Sequence, residues 1–117
     1  STGKLDLEKK LPTIIEDETG YTIADAGSQE LLAEDVRPHY NTIKVIANAS
    51  ASSGWDITIN YYTSDGGSIV HSESFSASAN SKGVEINLLS NRYNIVVNNS
   101  SGASIDLNQF GVYGVRQ

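Results

Sequence analysis

The stretch WDITINYYTSDGG, residues 55–67, decides the fold class of this 117-residue chain. Over residues 55–62 apolar and polar side chains alternate, so that Trp55, Ile57 and Ile59 share one face and the residues between them share the other. A period of two residues is typical of a β-strand with one buried face. The SDGG segment that follows favours a tight hairpin, because Asp and Gly tolerate the positive φ angles of such turns.

Similar alternation on both sides of this stretch predicts further strands, at residues 21–24, 29–33, 42–48, 69–76, 84–89, 93–97 and 105–115. A helix over residues 28–35 is the alternative for the second of these, since Ser28 is a helix-capping residue and good helix formers follow it. A change of phase at Gln109–Phe110 predicts a β-bulge or a break in the last strand. The small polar residues 77–83 are predicted to form a loop.

Many short strands joined by Gly-, Ser- and Asn-rich turns indicate an all-β fold, namely an antiparallel β-sandwich of about seven to eight short strands. Eight strands favour a jelly roll and seven favour an immunoglobulin-like arrangement. The sequence alone leaves both open, and our prediction is a jelly-roll-like sandwich.

The negative charge of the chain is concentrated near its beginning. Residues 1–40 hold nine acidic and four basic side chains, whereas residues 41–117 hold five and four. We therefore predict an acidic N-terminal arm or linker over residues 1–20 and a single β-sandwich domain over residues 21–117. An arm that pairs with a neighbouring subunit predicts a homo-oligomer.

Composition disfavours several classes of function. Eight Lys and Arg scattered among 117 residues do not form the basic cluster that nucleic-acid binding needs. The absence of cysteine excludes disulfides, thiolate zinc sites and thiol catalysis. No apolar run reaches the length of about 18–20 residues that a membrane span requires. The sequence predicts no cofactor.

Candidate catalytic and metal-binding groups are sparse. His71 and Glu73 are two residues apart and can pair on one strand face, which makes a hydrolase the third and weakest functional alternative. No G-x-S-x-G nucleophile motif accompanies them, and the other histidine, His39, follows a proline in a loop. We predict that the protein is not an enzyme and has no metal site.

One acidic segment is a candidate calcium site, which is the alternative to the prediction that the protein has no metal site. The carboxylates of Glu16, Asp17 and Glu18 are adjacent in a segment that reads as a turn, and Asp65 lies in the hairpin. Oxygen donors of this kind bind calcium when they converge, but no calcium-loop motif is present. A solvated acidic turn is the interpretation that we prefer.

A sugar-binding platform combines an aromatic ring with planar polar groups, because a pyranose has an apolar C–H face and a rim of hydroxyls. Tyr62 and Asn60 share the polar face of the central strand with Thr58, and Trp55 supplies a larger ring. We therefore take Tyr62, Asn60 and Trp55 as candidate ligand-binding residues. Trp55 is also in phase with the isoleucines, which favours a place in the core.

The segments YNTIKV (40–45), WDITINY (55–61), DGG (65–67) and YNIVVNNS (93–100) give the chain a resemblance to small β-sandwich modules of bacteriophage tail and virion proteins. It is also similar in its general residue pattern to jelly-roll carbohydrate-binding modules. The resemblance covers residues 40–117 and includes no defined site. It implies a structural or adhesion module outside the cell or on a virion surface that binds a protein or a glycan surface, with a carbohydrate-binding module as the alternative.

Overall fold

Alternation along the chain is realised as eight β-strands in the computed structural model, which describes residues 13–36 and 40–115. No helix interrupts the strands within these ranges. The strands are β1 (Thr13–Ile23), β2 (Ser28–Val36), β3 (Thr42–Ala49), β4 (Trp55–Tyr62), β5 (Ile69–Ser76), β6 (Ser81–Asn87), β7 (Arg92–Asn99) and β8 (Ile105–Val115).

The strands form two four-stranded antiparallel sheets. The first sheet has the order β1-β8-β3-β6 and the second sheet has the order β2-β7-β4-β5. Every connection except the β4–β5 hairpin therefore passes from one sheet to the other, which is the arrangement of a jelly roll. The predicted antiparallel β-sandwich with jelly-roll character is confirmed, and the seven-stranded immunoglobulin-like alternative is not what is observed.

The core lies between the inner faces of the two sheets. Ile43 and Val45 of the first sheet and Ile57, Ile59 and Ile95 of the second are fully buried there. Each is in the apolar phase of its strand, so local alternation selects the inward residues. Burying such a side chain contributes about 1.5–3 kcal/mol, which makes this layer the main source of stability.

The segment 28–36 forms strand β2 rather than a helix, so the helical alternative is wrong. Its hydrogen bonds are made with β7, and two register shifts interrupt the pairing, one of them between Glu30 and Leu32. The first shift turns both Leu31 and Leu32 toward the core, where both are buried. Pairing and burial thus override a helix-forming composition. Nowhere in residues 13–36 and 40–115 is there a helix that could cross a membrane.

Strand β1 begins earlier than the sequence predicts. Its pairing with β8 runs from Thr13 opposite Gly114 to Ile23 opposite Ile105. Residues 13–20, which we assigned to an arm or linker, are therefore part of the first sheet. Residues 1–12 lie outside the described residues, and for them the arm stays a prediction, as does the division of the chain into an arm and a domain.

Two further boundaries differ from or refine the predictions. Residues 81–83, predicted as loop, begin β6, because they pair with β3 from Asn48 opposite Ser81 onward. The predicted phase change in the last strand is confirmed one position away: Asn48 pairs with Gln109 and the next residue, Ala49, with Leu107, which leaves Asn108 as the extra residue of a bulge.

Candidate binding surfaces

The outer side of the second sheet carries a surface that we call the polar face. It consists of short hydroxyl, amide and carboxylate side chains from all four strands: Ser28, Glu30, Asp56, Thr58, Asn60, Ser72, Ser74, Asn94 and Asn98. Strand alternation produces it, since Ile57 and Ile59 on β4 and Ile95 and Val97 on β7 point into the core. Val96, half-buried between Asn94 and Asn98, is an apolar residue within this face. The predicted candidate Asn60 lies at its centre.

Four of these side chains form a hydrogen-bonded chain across the sheet, which we call the polar relay. Ser72 Oγ donates to Asn60 Oδ1 at 2.6 Å, and Asn60 Nδ2 donates to Asn94 Oδ1 at 2.9 Å. Asn94 Nδ2 in turn donates to Glu30 Oε2 at 2.8 Å. The relay fixes the orientation of both amides. An amide group has two hydrogens and two lone pairs, so the half-buried Asn60 keeps capacity for a further partner, whereas Asn94 is only 6% exposed.

A second hydrogen-bonded cluster lies beside the relay. Asn98 Nδ2 donates to Asp56 Oδ1 at 2.9 Å and to Thr58 Oγ1 at 3.0 Å. Thr58 Oγ1 lies 2.7 Å from Asp56 Oδ1 and 2.8 Å from Ser74 Oγ, and Ser28 Oγ donates to Asn98 Oδ1 at 2.6 Å. These bonds hold short side chains in fixed rotamers, so little side-chain entropy remains to be lost when a partner docks.

Tyr62 follows Asn60 on the same side of β4, as the alternation predicts, and is half-buried. Burial raises the pKa of the Tyr62 phenol, and the nearby carboxylates of Glu30 and Glu34 raise that pKa further. The phenol therefore stays protonated at neutral pH and can donate a hydrogen bond. The structure brings Tyr62 and Asn60 to one surface, and their role in ligand binding stays a prediction.

An ion pair closes one end of the polar face. Arg92 Nε lies 3.2 Å from Glu34 Oε2, and Arg92 Nη1 donates to the carbonyl oxygen of Ser64 at 2.9 Å. The pair covers Gly66, which has a φ of +76°, in the β4–β5 turn. A Cβ atom at Gly66 would lie 2.6 Å from Glu34 Oε1, so the predicted glycine serves both the turn and this close approach.

Trp55 does not belong to this surface, which corrects its place among the candidate residues. Its side chain is only 2% exposed, and the indole Nε1 donates to the carbonyl oxygen of Ala51 at 2.9 Å. Because Trp55 is in the inward phase of β4, its ring faces the opposite sheet. It therefore cannot stack against a ligand on the polar face.

His71 and Glu73 do lie together, on the edge strand β5. His71 Nε2 is 3.3 Å from Glu73 Oε2, and the imidazole stacks on the Tyr61 ring with 6.0 Å between ring centroids. Neither contact activates a nucleophile, so the pair gives the hydrolase alternative no support. The other histidine, His39, lies outside the described residues.

The acidic triplet does not form the predicted turn. Glu16, Asp17 and Glu18 lie in the middle of β1, where successive side chains alternate between the two sides of the strand. Glu18 Oε2 accepts a hydrogen bond from the Tyr21 hydroxyl at 2.6 Å, and this bond is the main reason that the pKa of Tyr21 is raised. Within the part of the chain that the structure describes, no three acidic, histidine or cysteine side chains converge to hold a metal ion.

Sequence reasoning missed a second surface. A groove of about 660 Å³, which we call the cross-sheet groove, runs over the outer side of the first sheet; the residues that line it include Asp17, Thr19, Ile46, Gln109, Gly111 and Tyr113. Two signals in the sequence mark it. Ile46 is an apolar residue in the polar phase of β3, and Gly111 is a glycine inside a strand, which often marks a close approach to the sheet surface.

Strand register explains the shape of this groove. Asp17 pairs with Gly111, Gly111 pairs with Ile46, and Ile46 pairs with Gly83, so these four residues form one row across the four strands. The first three of these residues line the groove, and Gly111, which has no side chain, lowers the surface beside Ile46. The Tyr113 ring lies over Gly111, where an added Cβ would come within 2.7 Å of its Cζ atom.

Comparison with known proteins gives likenesses of structure only. No protein-family model and no curated protein sequence matches the chain. The mitogen of Yersinia pseudotuberculosis is similar over 92% of this chain and 88% of its own, with 11% identity and a TM-score of 0.54. The VP2 subviral particle of infectious bursal disease virus is similar over 91% of this chain, with 13% identity and a TM-score of 0.54, and this chain spans only 32% of VP2.

A carbohydrate-binding module of Cellvibrio mixtus lichenase 5A, solved in complex with cellotriose, is similar over 86% of this chain and 88% of its own. Its identity is 9% and its TM-score is 0.44, so we base no argument on it. The structural neighbours thus include a virion protein, as the resemblance implied. At these identities the likenesses show the fold, an eight-stranded jelly roll, and nothing further.

Proposed function

We propose that this domain is a non-enzymatic structural or adhesion module, carried outside the cell or on a virion surface, that binds a protein or glycan surface. The observation that supports the proposal is the polar relay. It aligns Ser72, Asn60, Asn94 and Glu30 across four strands of one sheet.

Prior ordering of these side chains favours binding. A flexible polar surface loses rotamer freedom when a partner docks, at a cost of about 0.5–1.5 kcal/mol for each immobilised side chain. The relay bears that cost when the domain folds. Its donors and acceptors are mostly uncharged, so their desolvation is less costly than that of ions. Such a face suits a flat partner that carries hydroxyl or amide groups.

A carbohydrate is the second candidate partner for this face. The observation in its favour is the half-buried Tyr62, which offers a protonated phenol and an aromatic ring beside the Asn60 amide. A ring next to oriented amides matches the two surfaces of a pyranose. Trp55 has no part in this proposal because it is buried.

Light scattering of the full chain and a glycan array test the proposal together. We expect either self-association or retention of a glycan or protein surface, and we expect Asn60→Ala and Tyr62→Ala to weaken it about tenfold, which corresponds to about 1.4 kcal/mol. The matched control is Asn87→Ala, an exposed asparagine on β6 in the other sheet. A monomer that binds neither class of surface would contradict the proposal.

A further inference from the structure

We infer that the cross-sheet groove binds a short neutral oligosaccharide. The inference goes beyond the function proposed above, because it names a second site and the class of ligand that this site binds. The groove lies on the outer side of the first sheet, whereas the polar face lies on the outer side of the second. Substitutions on one sheet can therefore test one surface and leave the other unchanged.

Dimensions of the groove suit such a ligand. One row of its lining residues crosses four strands, from Thr19 on β1 to Ser81 on β6. Strands in a sheet are about 4.8 Å apart, so the row is about 14 Å long, a length that a trisaccharide can span. The volume of about 660 Å³ falls within the range of small-molecule sites.

The floor of the groove is apolar. The Ile46 side chain is 51% exposed between its two glycine neighbours. Next to it, the Tyr113 ring lies over Gly111 and presents an aromatic surface. An apolar floor of this kind contacts the C–H face of a pyranose and gains free energy by excluding water from it.

The wall on one side is polar. Thr19 pairs with Gln109, Gln109 with Asn48, and Asn48 with Ser81, which places two hydroxyls and two amides in one row beside the floor. Asn108 Nδ2 donates to Asn48 Oδ1 at 3.2 Å and so orients the Asn48 amide. Hydroxyls and amides both donate and accept hydrogen bonds, as sugar hydroxyls do.

Charge in the groove disfavours an anionic ligand. Asp17 and Glu18 are among the lining residues, Asp17 with its side chain on the groove side of β1, and no arginine or lysine is among them in the described part of the chain. A sialylated or sulfated chain would be repelled, and a phosphate backbone would be repelled for the same reason.

A peptide strand is a poorer match for the groove than a sugar. Extended peptides are commonly recognised by adding a strand at an open sheet edge, where main-chain groups are available. The cross-sheet groove runs over the face of the sheet instead. On β3 the main chain is paired with β6 on one side and with β8 on the other. Recognition there depends on side chains, which suits the hydroxyl pattern of a sugar.

Titration of the full chain with neutral, sialylated and sulfated trisaccharides, chosen from a glycan array, tests the inference. We expect neutral chains to bind with little salt dependence. Ile46→Ala should raise the dissociation constant about tenfold, because it removes much of the apolar floor. Tyr113→Ala should raise it at least as much, since it removes the aromatic surface that lines the groove beside Ile46.

The matched control is Ile69→Ala, an isoleucine on β5 that is 52% exposed and lies outside the groove, and we expect it to leave binding unchanged. If glycan binding is lost in Asn60→Ala and kept in Ile46→Ala, the groove assignment is wrong while the proposed function stands. Tighter binding of acidic than of neutral chains would overturn the charge argument and the inference with it. If the chain assembles or binds a protein surface but no glycan, the inference fails alone; if it binds nothing, both fail.

Discussion

Asn99 at the end of β7 gives the sharpest test of how this sandwich is held together. Its side chain is 2% exposed, and its Nδ2 donates to the carbonyl oxygens of Ile23 at 3.0 Å and Ala24 at 3.1 Å. A third contact reaches the carbonyl oxygen of Ala103 at 2.8 Å. Asn99 Oδ1 accepts from Ser101 N at 3.0 Å and from Ser101 Oγ at 2.7 Å. One amide thus joins the end of β1 to the loop between β7 and β8.

The substitution Asn99→Ala removes all of these bonds and leaves buried main-chain groups without a partner. A hydrogen bond contributes about 1 kcal/mol net, and an orphaned buried group costs about 1–3 kcal/mol. The two amide hydrogens are shared among three acceptors, so we expect a loss of about 3 kcal/mol rather than the sum of five contacts. The entropy of unfolding is about 2.1 cal/mol/K per residue, and for 117 residues this loss lowers the melting temperature by about 12 °C.

Equilibrium unfolding in urea, followed by the fluorescence of the buried Trp55, measures this loss directly. The control is Asn87→Ala, an exposed asparagine on β6 whose Oδ1 accepts a long bond of 3.4 Å from Thr42 Oγ1. We expect the control to change stability by no more than about 0.5 kcal/mol. A loss below about 1 kcal/mol for Asn99→Ala would refute the reasoning, because it would mean that the orphaned groups find other partners.

Two further predictions concern the β4–β5 turn. Gly66→Ala introduces a side chain at a φ of +76° and against the Glu34–Arg92 pair, so we expect a loss of about 2–3 kcal/mol in thermal unfolding; an unchanged midpoint would contradict this. A hydrogen bond from Thr63 holds the pKa of Asp65 below its usual value, with the Gly67 amide as the next cause. A lowered folded-state pKa contributes stability above the unfolded pKa of an aspartate and loses it as pH falls through the folded pKa. Asp65→Asn should therefore be less stable than wild type at pH 7 and equal to it in strong acid, and a difference that persists in acid would exclude this origin.

Local pattern was sufficient for the strands with the clearest alternation. β3, β4 and β7 and the hairpin at Gly66 all follow from the period of two and the turn residues. The pattern was misleading for the edge strand β1. The acidic residues 16–18 read as a turn, but they pair with β8 as part of an edge strand, where charged side chains remain solvated.

Some of the candidate site residues were predicted from the sequence, and one surface was not. Alternation identified Tyr62 and Asn60 as outward residues of β4, and it already favoured a core position for Trp55, which the structure shows. The cross-sheet groove was not predicted, although Ile46 stands in a polar phase and Gly111 stands inside a strand. Neither residue predicts a groove by itself, because the groove forms only where β3 pairs with β8 and brings Ile46 next to Gly111.

By itself the sequence determined that this chain is all-β and which side chains point inward, because side-chain alternation is a local property of an extended backbone. Only the tertiary structure decided which strands are neighbours. Asn94 meets Glu30 across 64 positions of sequence, and Gly111 of β8 meets Ile46 of β3 within the first sheet, although these strands are far apart in the chain. Those pairings depend on register and on connections between the sheets, both of which are non-local. Both surfaces proposed to bind partners are products of that pairing.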